Sequence, residues 1–390
     1  MKVLICFDKF KDSMEANEAG EIVENVLSET YPDWKIDTVA LADGGEGFCE
    51  ILTGSQKGEF QIHTVPGSLT KPIPAKLGWV TGKDLDKRTR SDWGLSDYSK
   101  IAIIEMAQAT GLQELAINKR DCWKTTSLGT GELIRIATES GAETILLGVG
   151  GSSTNDLGLG VLESLGLRFY NQENHLIQNI RPELWEQVDH IGGSLPENLP
   201  PFKIACDVEN PLFGPNGAAA IFGPQKGLRP EDHPRIEAQG KRIARLLCDH
   251  LKQPWALTEV PGCGAAGGIT FGLSTACNVE LLPGFDLVSQ WLNLPEKIAA
   301  CDWLITGEGK FDASSLQGKG PGTLAQAALS QGKRVTIMAG RIEVIVENFT
   351  ANDKLDIIEI SSRDLPLQSA IDQGPESLSA AATHLRYSKD

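Results

Sequence analysis

The sequence predicts an α/β protein with two domains, one on a parallel sheet and one on a mixed or antiparallel sheet. Short apolar runs alternate with segments of helical periodicity at the start of the chain and again after about residue 266. From about residue 58, strand-forming segments follow one another with turn residues and little helix. We therefore expect residues 66–265 to be an α/β domain inserted into a discontinuous α/β domain, 1–65 with 266–390. The active site is expected in the cleft between them.

The first sixty residues read as two strand–helix pairs. The second strand breaks into a glycine turn, and the helix after it begins directly beyond that turn. The segments are "KVLICF" (strand, 2–7), "SMEANEAGEIVENVLSETY" (helix), "KIDTVALADGGEG" (strand and turn) and "GFCEILTGS" (helix).

The middle of the chain begins with three consecutive strand-like segments, which favour antiparallel or mixed pairing. Helix–strand alternation follows, and residues 171–202 are polar and interrupted by proline, as in surface loops with a short helix. The strand segments are "EFQIHTVPG", "PIPAKLGWVTG", "KIAIIEMAQAT", "ETILLGV", "GLRFY" and "FKIACDVENP", the last predicted to end on Asp207; the helical ones are "SLGTGELIRIATES", "DLGLGVLES" and "RPEDHPRIEAQGKRIARLLCDHLKQ".

After the glycine-rich "VPGCGAAGGITFGL", strict alternation returns and resembles the start of the chain. The segments are "CDWLITGEGK" (strand and loop), "GTLAQAALSQG" (helix), "RVTIMAG" (strand) and "NDKLDIIEIS" (strand).

Charge and cysteine content exclude several functional classes. The net charge of −16 over 390 residues disfavours nucleic acids and anionic membranes as partners. Eight scattered cysteines form no CxxC pair, which is typical of buried thiols in a reducing cytoplasm. The first residues do not resemble a signal peptide, and no apolar run is long enough to span a membrane. We expect a cytoplasmic globular protein, with a homodimer as one option for its assembly.

Carboxylates and glycines gather where five predicted strands end. Ligands bind at the carboxyl ends of parallel strands, because loops and helix N-termini converge there. Asp and Gly are also ordinary turn residues, but five such clusters are hard to explain by turns alone. The clusters are Asp8, Asp43 with Glu46, Gly150 to Asp156, Asp207, and Glu308 to Asp312.

The segment "GGSSTND" (150–156) combines glycine-freed amides with the hydroxyls of Ser152, Ser153 and Thr154. A helix expected to begin near Asn155 or Asp156 would add the positive end of its dipole, and together they would favour an anion. The alternative is that Asp156 only caps that helix. Both interpretations remain open at this point.

Two further segments combine carboxylates with lysines. In "GEGKFDASSLQGKG", Glu308 and Asp312 are candidates for Mg²⁺ ligands, and Lys310 and Lys319 are candidates for neutralising phosphate oxygens. The alternative is a solvated loop with incidental ion pairs.

In "FDKFKDS", Asp8 could accept a proton from a hydroxyl, and Lys9 or Lys11 could bind a carboxylate or phosphate. A charged first helical turn in which Ser13 is a cap is the alternative.

Taken together, these motifs resemble the bacterial type I glycerate kinase family. The resemblance extends in order from the first strand to about Gly340, with Leu157 and Gly158 where the family usually has two glycines. The segments that carry it are "FDKFKDSMEA", "ADGGEG", "TTSLGTGELI", "GVGGSSTNDLGLG", "ACDVENPLFGPNGAAAIFGPQKG", "PGCGAAGG", "DWLITGEGKFDASSLQGKGPGTLA" and "IMAG".

The resemblance implies ATP- and Mg²⁺-dependent phosphorylation of D-glycerate, generally to 2-phosphoglycerate. It also implies a fold of two α/β domains, one with a Rossmann- or flavodoxin-like parallel sheet and one with a mixed sheet. 3-Phosphoglycerate as product and another small hydroxy acid as substrate are the alternatives within this class. Phosphoryl transfer depends on positioning and charge neutralisation more than on covalent chemistry. The residues are therefore assigned by role: catalytic Asp8, Lys11, Asp207 and Lys310; phosphate-binding Gly150, Gly151, Ser152, Ser153, Thr154, Asn155, Asp156 and Lys319; substrate-binding Ser13, Asp43, Gly44, Gly45, Glu46 and Asn210; metal-binding Glu308 and Asp312.

Two other classes compete with a kinase. A nucleotide-dependent dehydrogenase would carry GxGxxG after the first strand, which this chain lacks. A ligand-sensing regulator would carry a DNA-binding segment, which neither the acidic charge nor any helix-turn-helix pattern supplies.

Overall fold

The computed structural model describes residues 1–316, 318, 320–343 and 352–387. By backbone contacts the chain divides into a first unit, Met1–Asp43 with Val288–Asp390, and a second unit, Gly44–Leu287. The borders expected from the sequence, at 65/66 and 265/266, both fall inside the second unit. The reason is strand pairing: β3 (Glu59–Pro66) and β11 (Val279–Leu282) are the two edge strands of one sheet in that unit.

The first unit is built on a five-stranded sheet in the order β14-β13-β12-β1-β2, with every neighbouring pair parallel. Its core lies between the sheet and helices near both ends of the chain, with Val23 of α1 and Leu378 of α14 packed beside Ile5 and Ile305. The strands are β1 (Lys2–Phe7), β2 (Lys35–Ala40), β12 (Trp303–Phe311), β13 (Arg334–Ile342) and β14 (Leu355–Glu359); the helices are α1 (Ala16–Thr30), α11 (Leu294–Ala300), α12 (Gly320–Ser330), α13 (Leu367–Asp372) and α14 (Gly374–Ala382).

The second unit contains a six-stranded mixed sheet in the order β11-β10-β6-β5-β4-β3 and a small antiparallel sheet, β8-β7-β9. The strands are β3 (Glu59–Pro66), β4 (Pro72–Thr81), β5 (Lys100–Glu105), β6 (Thr144–Gly148), β7 (Leu167–Tyr170), β8 (Leu176–Ile177), β9 (His190–Gly193), β10 (Phe202–Ala205) and β11 (Val279–Leu282). The helices are α2 (Phe48–Ser55), α3 (Lys87–Asp92), α4 (Met106–Thr110), α5 (Leu128–Glu139), α6 (Leu159–Ser164), α7 (Ala218–Phe222), α8 (His233–Leu251), α9 (Ile269–Ala276) and α10 (Gly284–Trp291), whose last turn belongs to the first unit.

The six-stranded sheet confirms the prediction that a mixed sheet begins near residue 58. β3 and β4 are antiparallel, as are β4 and β5, whereas β5, β6, β10 and β11 run parallel. The parallel strands are buried; β6, for example, has no exposed residue. The sequence thus predicted the fold class, an α/β protein with one parallel and one mixed sheet.

Four local predictions were wrong. "EMAQAT" is not strand after Glu105, because Met, Ala and Gln favour helix and form α4. "FKIACDVENP" leaves the sheet at Ala205 rather than Asp207. "GEGK" is strand rather than loop, because β12 continues to pair with β13 up to Phe311. Residues 171–202, expected as loops with a short helix, also contain β8 and β9.

Candidate active site

The two central strands of the first unit define its topological switch point. The chain moves outward from β1 to β2 on one side and from β12 to β13 and β14 on the other. Ligands of open parallel sheets bind at the carboxyl ends of the strands where this reversal occurs. Asp8 directly follows β1, and Glu308 occupies the neighbouring position on β12, one residue beyond the paired Phe7 and Gly307. Two predicted site carboxylates therefore lie side by side at this point.

The carboxylate of Asp8 is also close to the start of α12. A methyl group added to Gly320, the first residue of α12, would lie 3.9 Å from Asp8 Oδ2. The amide of Lys9 donates to Asp8 Oδ1 at 2.7 Å, and the amide of Asp8 donates to the Gly307 carbonyl at 2.9 Å. These contacts fix the carboxylate at the carboxyl edge of the sheet. Lys319, predicted to bind phosphate, lies outside the described residues.

Lys310 and Asp312 form part of an exposed ion-pair group. Lys310 Nζ lies 2.9 Å from Glu343 Oε2 and 3.5 Å from Asp312 Oδ2. Ser314 donates its amide and hydroxyl to Asp312 Oδ1, and these bonds lower the pKa of the Asp312 carboxyl. Because β12 is extended, the Cα atoms of Glu308 and Asp312 are roughly 13 Å apart. One metal ion would therefore contact at most one of these two carboxylates directly.

Lys11 and Ser13 line a pocket of about 80 Å³ in the first unit. The Ser13 hydroxyl donates to the Ile371 carbonyl at 2.7 Å, so it forms part of the wall. Arg341 also lines the pocket and is held by Glu359 at 3.0 Å. With a lysine and an arginine in its lining, this pocket suits a small organic anion.

In the second unit, the glycine-rich loop (150–156) packs against Gly44 and Gly45. The amide of Gly150 donates to the Gly44 carbonyl at 3.0 Å, and a methyl group added to Gly150 would lie 2.6 Å from the Gly45 Cα. Gly44 has φ of 92°, and a methyl group there would lie 2.5 Å from the Cβ of Ala205. Glycine is therefore required at these positions for two loops to approach each other at the ends of β6 and β10.

The first part of the loop forms an amide cradle (Gly150–Ser152). Leu112 donates its amide to the Gly151 carbonyl at 2.7 Å, and Ser153 donates its amide to the Thr110 carbonyl at 3.0 Å. Gly151 is exposed and has φ of 68°. In the described part of the chain, the amides of Gly151 and Ser152 have no acceptor. Two adjacent N–H groups are thus available to an anion.

The second part of the loop is buried, which separates it from the cradle, and in the described part of the chain Thr154 Oγ1 and Asn155 Oδ1 have no hydrogen-bond partner. The Ser153 hydroxyl donates to the Thr110 carbonyl at 2.9 Å and lies 2.6 Å from Ser68 Oγ. Thr154 and Asn155 are also buried. The side chains of Ser153 to Asn155, predicted to bind phosphate, therefore lie in the interior of the unit.

Asp156 is fully buried and anchors the loop to the residues around it. Its carboxylate accepts the amide and hydroxyl of Ser127 at 2.7 and 2.8 Å, and the amides of Gly158 and Gly160 at 3.2 Å each. Burial raises the pKa of this carboxyl despite those donors. Asp156 is not the N-cap of α6, which is Gly158, and its part in phosphate binding stays a prediction. The helix also begins later than expected, at Leu159, and α6 has only six residues, so the amides rather than a helix dipole define the cradle.

Leu157, at the position where the resembled family usually has glycine, adopts a left-handed backbone with φ of 59°. Its side chain is 3% exposed and belongs to a core cluster of the second unit. A methyl group added to the neighbouring Gly268 would lie 2.9 Å from the Leu157 Cα. Leu157 thus combines backbone strain with apolar burial, and two substitutions separate these effects.

We expect Leu157→Gly to be less destabilising than Leu157→Ala, the reverse of the usual order. Both lose the buried side chain, at about 2–5 kcal/mol, but only glycine relieves the left-handed strain of about 1 kcal/mol. Urea unfolding of both variants measures the difference. The matched control is Leu162, a buried residue of helix α6, where glycine should be the less stable by about 1 kcal/mol. If Leu157→Ala proves as stable as Leu157→Gly, the prediction that the left-handed backbone at residue 157 is strained is wrong.

The other predicted residues of the second unit have local partners. Asp207 Oδ1 accepts the amide of Gly284 at 2.6 Å, and Asn210 Nδ2 donates to the Asn216 carbonyl at 2.7 Å. Glu46 is half-buried, and its Oε1 would lie 3.9 Å from a methyl group at Gly151. Its carboxylate therefore borders the cradle.

Asp43, the last residue of the first unit, is exposed.

Glu105, at the end of β5, was not predicted as a site residue. It is buried, accepts the amide of Cys49 at 3.2 Å and contacts Gln108 Nε2 at 3.3 Å. Burial raises the pKa of its carboxyl to about 7, with a further contribution from the charge of Glu46. The signal was present as a carboxylate directly after "KIAII", but the strand was extended past it.

Lys226 was also missed. It stands in "ACDVENPLFGPNGAAAIFGPQKG", a segment to which the sequence assigned no role at this position, yet it is buried against the glycine-rich loop. Among the described residues, no group of three or more His, Cys, Asp or Glu side chains is arranged to hold a metal ion. None of the described helices has the length and apolar character needed to cross a bilayer.

The fold and this set of loops define an α/β enzyme with glycine-rich and acidic segments at the carboxyl ends of its parallel strands. The chain belongs to the glycerate kinase family, whose family model matches residues 3–387. It is therefore a phosphotransferase, and membership favours this class over the dehydrogenase and sensor alternatives.

Relatives agree over most of the chain. The glycerate 2-kinase of Escherichia coli K12 is 36% identical over 88% of this chain and 86% of its own length. The glycerate kinase of Halalkalibacterium halodurans is 33% identical over 98% of this chain and 97% of its own. The crystal structure of a putative glycerate kinase 2 from Salmonella typhimurium LT2 is similar at a TM-score of 0.78 and 33% identity, covering 98% of this chain and 96% of that one. The similarity thus includes both units.

Proposed function

We propose that the protein transfers the γ-phosphoryl group of ATP to the 2-hydroxyl of D-glycerate, giving 2-phosphoglycerate and ADP. The observation that carries the kinase chemistry is the amide cradle, in which the adjacent N–H groups of Gly151 and Ser152 are available at the end of β6. The substrate and the position of transfer are taken from family membership and from the E. coli relative, named a glycerate 2-kinase.

The residues present fit a nucleotide phosphate and Mg²⁺. The cradle offers amides to phosphate oxygens, and a side chain at Gly150 would meet Gly45, so glycine keeps the backbone accessible. Mg²⁺ is usually held by one or two carboxylates together with substrate phosphates. Glu308, on the strand next to Asp8, is the carboxylate placed for this role. Mg²⁺, when bound, supplies positive charge to the phosphoryl oxygens.

Asp8 acts as the general base in this proposal. Its carboxylate accepts the proton of the 2-hydroxyl, the hydroxyl oxygen forms a bond to the γ-phosphorus, and the bond from that phosphorus to ADP breaks. The nearby start of α12 favours negative charge at this point.

Lys11 and Arg341 bind the glycerate carboxylate in the 80 Å³ pocket, which is far smaller than a nucleotide requires. Asp207, Lys310, Asp43, Glu46 and Asn210 retain the roles predicted for them as part of the proposal.

The location proposed is a reducing cytoplasm. All eight cysteines are free, and burial raises the pKa of several thiols, for example that of Cys49 to about 12. A homodimer stays a prediction.

The decisive experiment is a coupled ADP-release assay with D-glycerate, ATP and Mg²⁺, the product being identified by ³¹P NMR. We expect ADP release to depend on D-glycerate and the new phosphorus signal to match 2-phosphoglycerate. L-Glycerate and lactate serve as controls. A signal matching 3-phosphoglycerate would overturn the position of transfer, and ADP release with another hydroxy acid but not D-glycerate would overturn the substrate.

A further inference from the structure

The glycine-rich loop has no lysine of its own, but a lysine distant in sequence contacts it from the interior. Lys226 lies at the end of a 3-10 turn, Pro224–Lys226, and is 2% exposed. Its Nζ donates to the Ser152 hydroxyl and to the Thr154 carbonyl, both at 2.7 Å. The two contacts lie on either side of Ser153 and therefore hold the loop between its cradle and its buried part.

The backbone that carries Lys226 is constrained. Gly227 has φ of 88°, and a methyl group there would lie 2.1 Å from the Arg120 carbonyl oxygen. The turn therefore packs directly against the segment at Arg120. This packing fixes the backbone from which the Lys226 side chain reaches the loop.

An ordinary structural role does not account for a buried ammonium at this place. Burying a charge costs free energy that an apolar side chain of the same size would not. Asp156 is a buried carboxylate whose charge favours the ammonium, but its four hydrogen bonds come from Ser127, Gly158 and Gly160 and none from Lys226. The charge is explained if an anion binds close to it.

We propose that Lys226 is the cation of the phosphate-binding loop, a positioning residue that holds Ser152 and Thr154 from inside and adds positive charge behind the amide cradle. This rests on the proposed function, since the anion in question is a nucleotide phosphate. A P-loop obtains its positive charge from a lysine within the loop itself. In this protein the charge would come from Lys226, which lies 74 positions after Ser152 in the chain.

Lys226 should therefore take up a proton when the nucleotide binds. Burial lowers the pKa of its ammonium to about 7, while the titratable groups Asp156 and Cys122 raise it. A bound phosphate raises the pKa again because it favours the charged form. Below the pKa of the free protein the lysine is charged in both states, and affinity is independent of this group. Above about pH 7, binding must first protonate Lys226, so affinity falls as pH rises.

The test is titration calorimetry of the full-length protein with ADP between pH 6 and 9. Lys226→Met should weaken ADP binding about tenfold at pH 6–7, where the lysine is charged. It should also remove the fall in ADP affinity above pH 7 that comes from the protein. Lys226→Arg, which stays charged, should also remove this fall while binding ADP more tightly than Lys226→Met. Lys241→Met, an exposed lysine paired with Glu237, is the matched control and should match the parent. The ionisation of ADP is common to all variants and cancels in the comparison.

Lys226→Met binding ADP within twofold of the parent, with the parental pH profile, would overturn the proposal. If that variant does not fold, Ser152→Ala removes one of the two acceptors; it should weaken ADP binding severalfold and move the pH midpoint downward, and an unchanged midpoint would overturn the proposal.

The outcome separates this inference from the proposed function. Lys226-dependent ADP binding in a protein that does not phosphorylate D-glycerate would contradict only the substrate assignment. D-Glycerate phosphorylation with an unchanged KM for ATP in Lys226→Met would contradict only the inference.

Discussion

Replacing Asp8 with asparagine is expected to lower kcat for D-glycerate phosphorylation roughly 10²- to 10⁴-fold. An amide cannot take the proton of the attacking hydroxyl. Asparagine keeps an oxygen that can accept the Lys9 amide, now at 2.7 Å from Asp8 Oδ1, so the local geometry should survive. Steady-state kinetics of ADP release, with kcat and KM measured separately, check this result.

The matched control for Asp8 is Asp12→Asn, four residues away in the same segment. Asp12 is exposed and has φ of 63°, a conformation that asparagine adopts readily. It carries the same charge as Asp8, so its variant reports the effect of one lost negative charge on this loop. Both variants losing activity equally, or Asp8→Asn keeping kcat within a few fold of the parent, would exclude Asp8 as the base.

The sequence predicted best those strands and helices whose hydrophobic pattern depends only on their own residues. The buried strand "KVLICF" and the amphipathic helix after it were predicted correctly and are β1 and α1. A continuous apolar run indicates a strand buried on both faces, and helical spacing of apolar residues indicates a helix buried on one face. The end of β12 could not be read in the same way. Its glycines and charges resemble a loop, and only pairing with β13 up to Phe311 makes it a strand.

The same distinction between local and distant contacts applies to the residues of the candidate site. Residues at strand ends, such as Asp8 and Gly150, are visible because parallel strands end where ligands bind. Whether a polar side chain in such a segment faces a ligand or the interior depends on distant partners. The Thr110 carbonyl accepts the Ser153 hydroxyl and turns it inward, and Lys226 binds the Thr154 carbonyl; neither contact can be read from the segment "GGSSTND". The same limitation concealed Lys226 itself.

Asp156→Ala is expected to lower the free energy of unfolding by about 3 kcal/mol. The substitution removes an acceptor that serves four donors, so the amides of Gly158 and Gly160 and the hydroxyl of Ser127 lose their partner in the interior. Urea unfolding measures the loss, and hydrogen exchange of the Ser127, Gly158 and Gly160 amides localises it.

Asp92→Ala is the control for Asp156, since Asp92 pairs with Arg88 at 3.6 Å on the surface and should change stability by less than about 0.5 kcal/mol. The amide cradle ends only four residues before Asp156, so loosening this anchor should also weaken ADP binding. Stability reduced with ADP affinity unchanged would show that the cradle is held by Gly44, Thr110 and Lys226 alone. Unchanged exchange at Gly158 and Gly160 would contradict the anchoring role of Asp156, because those amides donate to its carboxylate.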